Sequence, residues 1–168
     1  MAYQAVTVLM LISAPGDVPE EDLATVKRTV SQWNWNTGRP SHLTVVPVSW
    51  SEHAVAEFGD RPQEVLNGQL VEDADMALAL FADRLGTPTG TAESGTLEEI
   101  DRMVEAGKHV SVLVNQAPRS LSGEAAVAEK GRLEEALTAL RQRAIVLPYT
   151  DQAMLTGSSR LLVNDLAE

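Results

Sequence analysis

Met76-Ala-Leu-Ala-Leu-Phe81 is an apolar run of strand length, bounded by Asp73–Asp75 before it and by Asp83-Arg84 and Gly86 after it. A run that is apolar at every position, rather than at alternate ones, predicts a strand covered on both faces, as in the middle of a parallel sheet. Four similar runs lie around it: Ala5–Ser13, Leu43–Ser49, Val110–Asn115 and Ile145–Tyr149. Amphipathic stretches separate all five, which is the signature of repeated βαβ units. Right-handed crossovers and short connections then predict an α/β domain with a doubly wound five-stranded parallel sheet in the order 2-1-3-4-5.

The intervening stretches predict helices. Leu23, Val26, Val30 and Trp33 recur at helical spacing behind Asp17, with Glu20 three residues on and Pro19 in the first turn, so Asp17 is expected as the N-cap. Pro62 opens a second helix whose face carries Val65, Leu66, Leu70 and Val71 and which ends at Asp73–Asp75. Leu97, Ile100, Met103 and Val104 give a third over Thr96–Ala106, closed by Gly107. A fourth spans Glu124–Arg143 with Leu133, Leu137 and Leu140 inward, and a fifth Gln152–Leu166, interrupted near Gly157.

A chain of 168 residues suits one domain, 1–168, with one substantial core. Its 13 basic and 24 acidic residues give a net charge of -11, which repels nucleic-acid phosphates and anionic lipid, so general nucleic-acid or membrane binding is not expected. A small anion can still be held by backbone N–H groups at helix starts. The absence of cysteine removes disulfides, thiolate metal sites and cysteine nucleophiles, and suits the cytoplasm. Met1–Ser13 has no basic start and is too short to span a bilayer. His42, His53 and His109 sit in separate segments without metal-ligand spacing, and no Walker loop, Gly-x-Gly-x-x-Gly turn or serine-nucleophile motif occurs. No metal or resident cofactor is expected.

Two irregular stretches, Ser51–Arg61 and Asp83–Gly95, follow the carboxyl ends of strands, where open parallel sheets bind ligands. The second is the denser in signal: Arg84-Leu-Gly-Thr-Pro-Thr-Gly-Thr-Ala-Glu-Ser-Gly-Thr-Leu-Glu-Glu99. Gly86, Gly90 and Gly95 free the backbone for close approach to a ligand. The free N–H groups of the helix start, with the hydroxyls of Ser94 and Thr96, suit a ribose or a phosphate.

Ser94-Gly-Thr-Leu-Glu-Glu-Ile100, followed by Gly107-Lys-His-Val110, resembles the nucleoside 2-deoxyribosyltransferase-like superfamily, whose pattern is a Gly-Thr turn, a catalytic glutamate and Gly-Lys-Pro-Val. Aligned on Gly95, that glutamate falls on Glu99, and His109 replaces the proline. Ile12-Ser-Ala-Pro-Gly-Asp-Val18, Trp50, Pro62-Gln63, Asn67, Gln69-Leu70, Asp75 and Arg84-Leu-Gly-Thr-Pro-Thr-Gly90 resemble bacterial Toll/interleukin-1 receptor-like domains over most of the first 115 residues. The resemblance implies a flavodoxin-like sheet and, in enzymatic members, cleavage of the N-glycosidic bond of NAD or a nucleotide. Other members serve as adaptors.

A nucleobase or nicotinamide that departs leaves positive charge on the anomeric carbon of the sugar. An ionised Glu99 would stabilise that charge, or attack it to form a glycosyl intermediate. Nicotinamide leaves as a neutral molecule, so one carboxylate suffices. Thr96-Leu-Glu-Glu99 is equally a capping box in which Thr96 caps the helix and Glu99 reaches back to it. Glu98 faces further from the apolar stripe, toward solvent.

Ser13, Ala14, Gly16 and Asp17 form a turn after the first strand that suits contact with ribose, base or phosphate, or serves only to cap the first helix. Arg84 suits a phosphate, or an ion pair with Asp83. Trp50 suits stacking on a base, or packing of its loop. Gly86, Thr87, Ser94, Gly95 and Thr96 complete the expected binding set, with Gln63, Asn67 and Gln69 beside it if their helix start faces the crevice. Trp33 and Trp35 are expected to fill core and surface gaps. Two functions follow: N-glycosidic cleavage or transfer on NAD or a related nucleotide, with Glu99 at the anomeric centre, or a non-catalytic module that senses a nucleotide or joins a partner protein. An apolar stripe left on the fourth or last helix would serve association with a second copy.

Overall fold

The computed structural model describes residues 2–49, 62–90 and 92–167. Along the chain run β1 (Val6–Ser13), α1 (Glu20–Trp33), a π-helical turn (Asn34–Gly38), β2 (Leu43–Val48), α2 (Pro62–Asp73) and β3 (Met76–Phe81). There follow α3 (Gly95–Glu105), β4 (His109–Asn115), α4 (Gly123–Leu140), β5 (Ile145–Tyr149), α5 (Gln152–Asn164) and a 3-10 turn (Asp165–Ala167). The five strands form one sheet in the order β2-β1-β3-β4-β5. Every pairing is parallel, with Val6 opposite Leu43, Met10 opposite Met76, Met76 opposite His109 and Ser111 opposite Ile145. This is the flavodoxin-like doubly wound order, with its switch point between β1 and β3.

β3 shows why the apolar run is continuous. Met76, Leu78 and Leu80 face one layer, where Val26, Val30 and Trp33 of α1 meet Leu155, Leu162 and Val163 of α5. Ala77, Ala79 and Phe81 face the other, against Val71 of α2, Ile100 and Met103 of α3, and Leu133, Leu137 and Leu140 of α4. All six strand residues are buried.

Four details depart from the sequence expectation. Asp17 is not the cap of α1: Pro19 holds that position without a side-chain bond, and Asp17 spends its carboxylate across the fold, as described below. α5 is not interrupted at Gly157, since Leu155, Ser159, Leu162 and Val163 anchor it from the other side and a glycine costs only about 1 kcal/mol in a helix. α4 ends at Leu140, with Arg141–Arg143 in the turn beyond it. The π-helical turn is a feature that helical periodicity does not announce. It turns Trp33 into the core, where its indole N–H donates to Asn164 Oδ1 at 2.9 Å, and leaves Trp35 68% exposed.

The turn after α3 follows the expectation for Gly107, whose φ is +69°. Its N–H donates to the carbonyl of Val104 at 2.9 Å, and that of Lys108 to Met103 at 2.9 Å, which is a Schellman closure. The Lys108 ammonium then binds the carbonyls of Val71 (2.9 Å) and Glu72 (2.5 Å) at the end of α2. Asp75 is equally structural: its carboxylate accepts from Leu9 N–H at 2.7 Å and its own N–H donates to the Leu9 carbonyl at 2.9 Å, which extends the contact between β1 and β3.

Candidate functional site

β1 delivers Ser13 to the carboxyl edge of the sheet, and α3 begins beside it. Ser13 Oγ donates to Glu99 Oε2, and the two side chains are 7% and 8% exposed. Glu99 therefore does not close a capping box. Ser94, not Thr96, is the N-cap, accepting from Leu97 N–H at 3.1 Å, because α3 starts one residue earlier than the apolar spacing suggests. The glutamate one turn in is thus held by the strand and not by its own helix start. Glu98 lies toward solvent, in an ion pair with Arg102 at 2.6 Å and accepting from Thr89 Oγ1 at 2.7 Å.

Next to this pair a cleft of about 730 Å³ opens. From the expected binding set it brings together Gly16, Asp17, Arg84, Gly86, Thr87, Gly95 and Thr96. Neither Ser13 nor Glu99 is among the residues that line it. Ala14 turns instead into the core, and Ser94 is fully buried and occupied as the cap, so neither faces the cleft. Trp50, His53 and the rest of Ser51–Arg61 lie outside the described residues, as do the side chains of Gln63 and Asn67, while Gln69 is exposed on α2. Gly86 has φ +109°, and a Cβ there would stand 3.2 Å from that of Ser94, so only glycine lets the loop lie this close to the helix start.

Sequence reasoning missed the far wall. Glu129 and Arg132 reach the cleft from α4, where Arg132 pairs with Glu129 at 2.6 Å and donates to the carbonyl of Glu93 at 3.3 Å. Both sit on a helix read only for its apolar face, and no local pattern signals that contact.

Asp17 straps the two loops together. Its Oδ2 accepts from the N–H of Asp83 at 2.9 Å and of Arg84 at 3.1 Å, while its Oδ1 is buried with no hydrogen-bond partner among the described residues. The expected pair between Arg84 and Asp83 does not form. Asp83 is taken by Arg119 at 2.8 Å and by Lys130 at 3.3 Å, and the hydrogen bond from Arg119, opposed by burial, holds its carboxyl below the usual carboxylate range. The same bond raises the Arg119 guanidinium further above its ordinary value. Arg84 is left exposed, without an ion pair among the described residues, between the first cleft and a second of about 500 Å³ lined by Asp83, Arg119, Ser120 and Ser122. A cation unpaired among the described residues, in a chain of net charge -11, suits an anionic group of a ligand.

Behind this edge lies a buried polar network that the sequence did not reveal. Asp22, 2% exposed on α1, accepts from Tyr149 Oη at 2.6 Å, Gln152 Nε2 at 2.6 Å and Asn115 Nδ2 at 2.9 Å. Asn115 Oδ1 in turn accepts from Arg119 Nη1 at 2.7 Å, which links the network to Asp83. Burial, and then the hydrogen bond to Asp22, push the Tyr149 phenol well above its ordinary value. Among the described residues no cluster of His, Asp and Glu could hold a metal ion, and no helix is long and apolar enough to cross a membrane.

No curated protein matches the sequence. Among solved structures, the chain is similar to a conserved protein from Enterococcus faecalis V583, with 12% identity and a TM-score of 0.54 over 94% of this chain and 99% of that one. It is similar to the translation elongation factor SelB of Methanococcus maripaludis at 11% identity and a TM-score of 0.57, over 99% of this chain but 34% of that one. A flavodoxin of Streptococcus pneumonia TIGR4 matches at 12% identity and a TM-score of 0.43 over 95% of this chain and 99% of that one. At such identities the first two likenesses speak for the fold alone. The model of the family described as Domain of unknown function (DUF4062) matches residues 21–161, and the chain belongs to that family.

Proposed function

We propose that the domain cleaves or transfers across the N-glycosidic bond of NAD or a related nucleotide, with Glu99 as the carboxylate at the anomeric carbon. The observation that carries this reading is a buried glutamate drawn to the carboxyl edge by Ser13, beside a cleft with glycine-rich walls. Glu99 is not needed as a helix cap, so its burial asks for another reason. As the bond from C1′ to nitrogen breaks, its electron pair leaves with the base, and the charge left on the sugar is offset by the carboxylate. Water or an acceptor hydroxyl then adds at C1′, and its proton goes to solvent when nicotinamide departs or to the departing base when the substrate is a neutral nucleoside. Ser13 orients the carboxylate, while Arg84 and the backbone around Gly16, Gly86 and Gly95 hold phosphate and ribose.

The test is release of nicotinamide from NAD, or of free base from nucleosides, by the purified protein and by Glu99→Gln. Glutamine still accepts from Ser13 but carries no charge, so turnover falls about 100-fold or more with the fold intact. Full cleavage by Glu99→Gln removes the glutamate from the chemistry. A second reading, a module that holds a nucleotide without cleaving it, is favoured by the fact that Glu99 is not among the residues lining the 730 Å³ cleft. It predicts saturable binding of NAD with no nicotinamide released.

A further inference from the structure

The π-helical turn lies far along α1 from the carboxyl edge and plays no part in the site above. Around it Tyr3, Ser31, Gln32, Asn34, Trp35, Asn36 and Arg39 border a third concave surface, of about 580 Å³. The Arg39 guanidinium lies 4.9 Å from the centre of the Trp35 ring and 5.9 Å from that of Tyr3, and both rings are open to solvent, 68% and 43% exposed. A large exposed indole is uncommon on a surface with no partner, and Trp, Tyr and Arg are the residues that dominate binding hot spots. The turn is also built to hold this shape. Asn34 clamps Val45 of β2 by two bonds of 2.8 Å, and Gly38 packs so closely that a Cβ would stand 2.6 Å from the Leu43 carbonyl.

Charge selects the partner. Between Asp22 and Glu52 the sequence has no acidic residue, while it carries Lys27, Arg28 and Arg39. In a chain of net charge -11 this is an acid-free stretch with three basic residues. Arg28 stands one helical turn before Gln32, so the exposed stripe reads Arg28, Gln32, Trp35, Arg39. Addition of a partner strand to the edge of β2 is hindered, because Asn34 occupies both backbone groups of Val45, and Pro47, on the same edge, has no N–H. Recognition there must go through side chains.

We propose that this surface docks an acidic peptide segment of a partner protein, with its carboxylates on Arg39 and Arg28 and an apolar or aromatic side chain against Trp35 and Tyr3. The test uses a fluorescein-labelled glutamate–tyrosine copolymer and the intact chain at low salt, read by anisotropy. Wild type should bind with an affinity that falls as salt rises. Trp35→Ala and Arg39→Glu should each weaken binding about tenfold or more, the size expected of a hot-spot residue. Both side chains are exposed, so the melting temperature should hold, and Arg141→Ala, on the far side of the sheet, should bind as wild type. Equal binding by Trp35→Ala, or equal loss in Arg141→Ala, overturns the proposal. So does self-association in sedimentation that Trp35→Ala abolishes, which would make a second copy the occupant. Tighter binding of a single-stranded RNA than of the copolymer overturns it as well.

Discussion

Removing the Asp22 carboxylate tests whether the buried network organises the strand ends. Asp22→Ala takes away the acceptor of three hydrogen bonds at once, from Tyr149, Gln152 and Asn115. Gln152 is only half-buried and can turn to water, but Tyr149 is 1% exposed and Asn115 6%, so their donors lose the carboxylate without reaching solvent. A buried donor left unpaired costs roughly 1–3 kcal/mol, and a hydrogen bond exchanged for water roughly 0.5–1.5 kcal/mol. We expect Asp22→Ala to cost about 3–5 kcal/mol, a large share of the roughly 5–15 kcal/mol that a domain commands. At roughly 2–4 °C per kcal/mol for a chain of this size, the melting temperature falls by about 6–20 °C. Asp22→Asn still offers an oxygen to Tyr149 and sets its own amide against one of the other two donors, so it should cost less than alanine. Urea unfolding at neutral pH, with the slope checked against wild type, gives both numbers. A cost below about 1 kcal/mol for alanine at unchanged slope would refute the claim that these bonds organise the edge.

Other expectations concern the caps, the turn and the acid limb. Ser94→Ala should lower stability by about 0.5–2 kcal/mol in urea unfolding, whereas Thr96→Ala, which removes no cap, should not; the reverse ranking would restore Thr96 as the cap. Gly38→Ala must move either the Leu43 carbonyl or the Trp33 ring, and should cost roughly 1–3 kcal/mol by thermal unfolding; a neutral result would mean that the π-helical turn relaxes freely. Asp83 has its carboxyl value depressed in the folded state, so its contribution is present above the unfolded value of about 3.9 and is lost as pH falls through the folded value. Asp83→Asn should therefore be less stable at neutral pH and show a shallower loss below about pH 4 in acid titrations of stability. Parallel curves for the two proteins would deny the ion pair any part in acid unfolding.

What could be read from the sequence depended on whether one segment alone carried the information. β3 begins and ends where its apolar run does, because a continuous run between polar breaks has only one way to lie between two helix layers. Gly107 was legible for a similar reason: a left-handed residue after the last apolar turn is almost always a glycine. The cap falls on Ser94, two residues before Thr96, since both residues can cap and the apolar spacing does not separate them. Asp17 and Arg84 line one cleft, but their partners are not those that the local sequence suggests. Their contacts run across 66 and 67 residues of sequence, and Arg119 and Lys130 outcompete Arg84 for Asp83. Glu129, Arg132 and Asp22 were invisible, because on a helix a polar residue that meets a cleft, or a buried network, has the same spacing as one that meets water.

α3, the helix that carries Glu99, is secured at both ends. Ser94 ties off its first turn, and the Gly107–Lys108 closure both finishes its last turn and bolts it to the exit of α2. Between those anchors Ile100 and Met103 are seated in the core. Such a helix has little freedom to slide or rotate, which keeps the Glu99 carboxylate against Ser13 at the end of β1. α3 is thereby a strut pinned by its own cap at one end and by the carbonyls of α2 at the other.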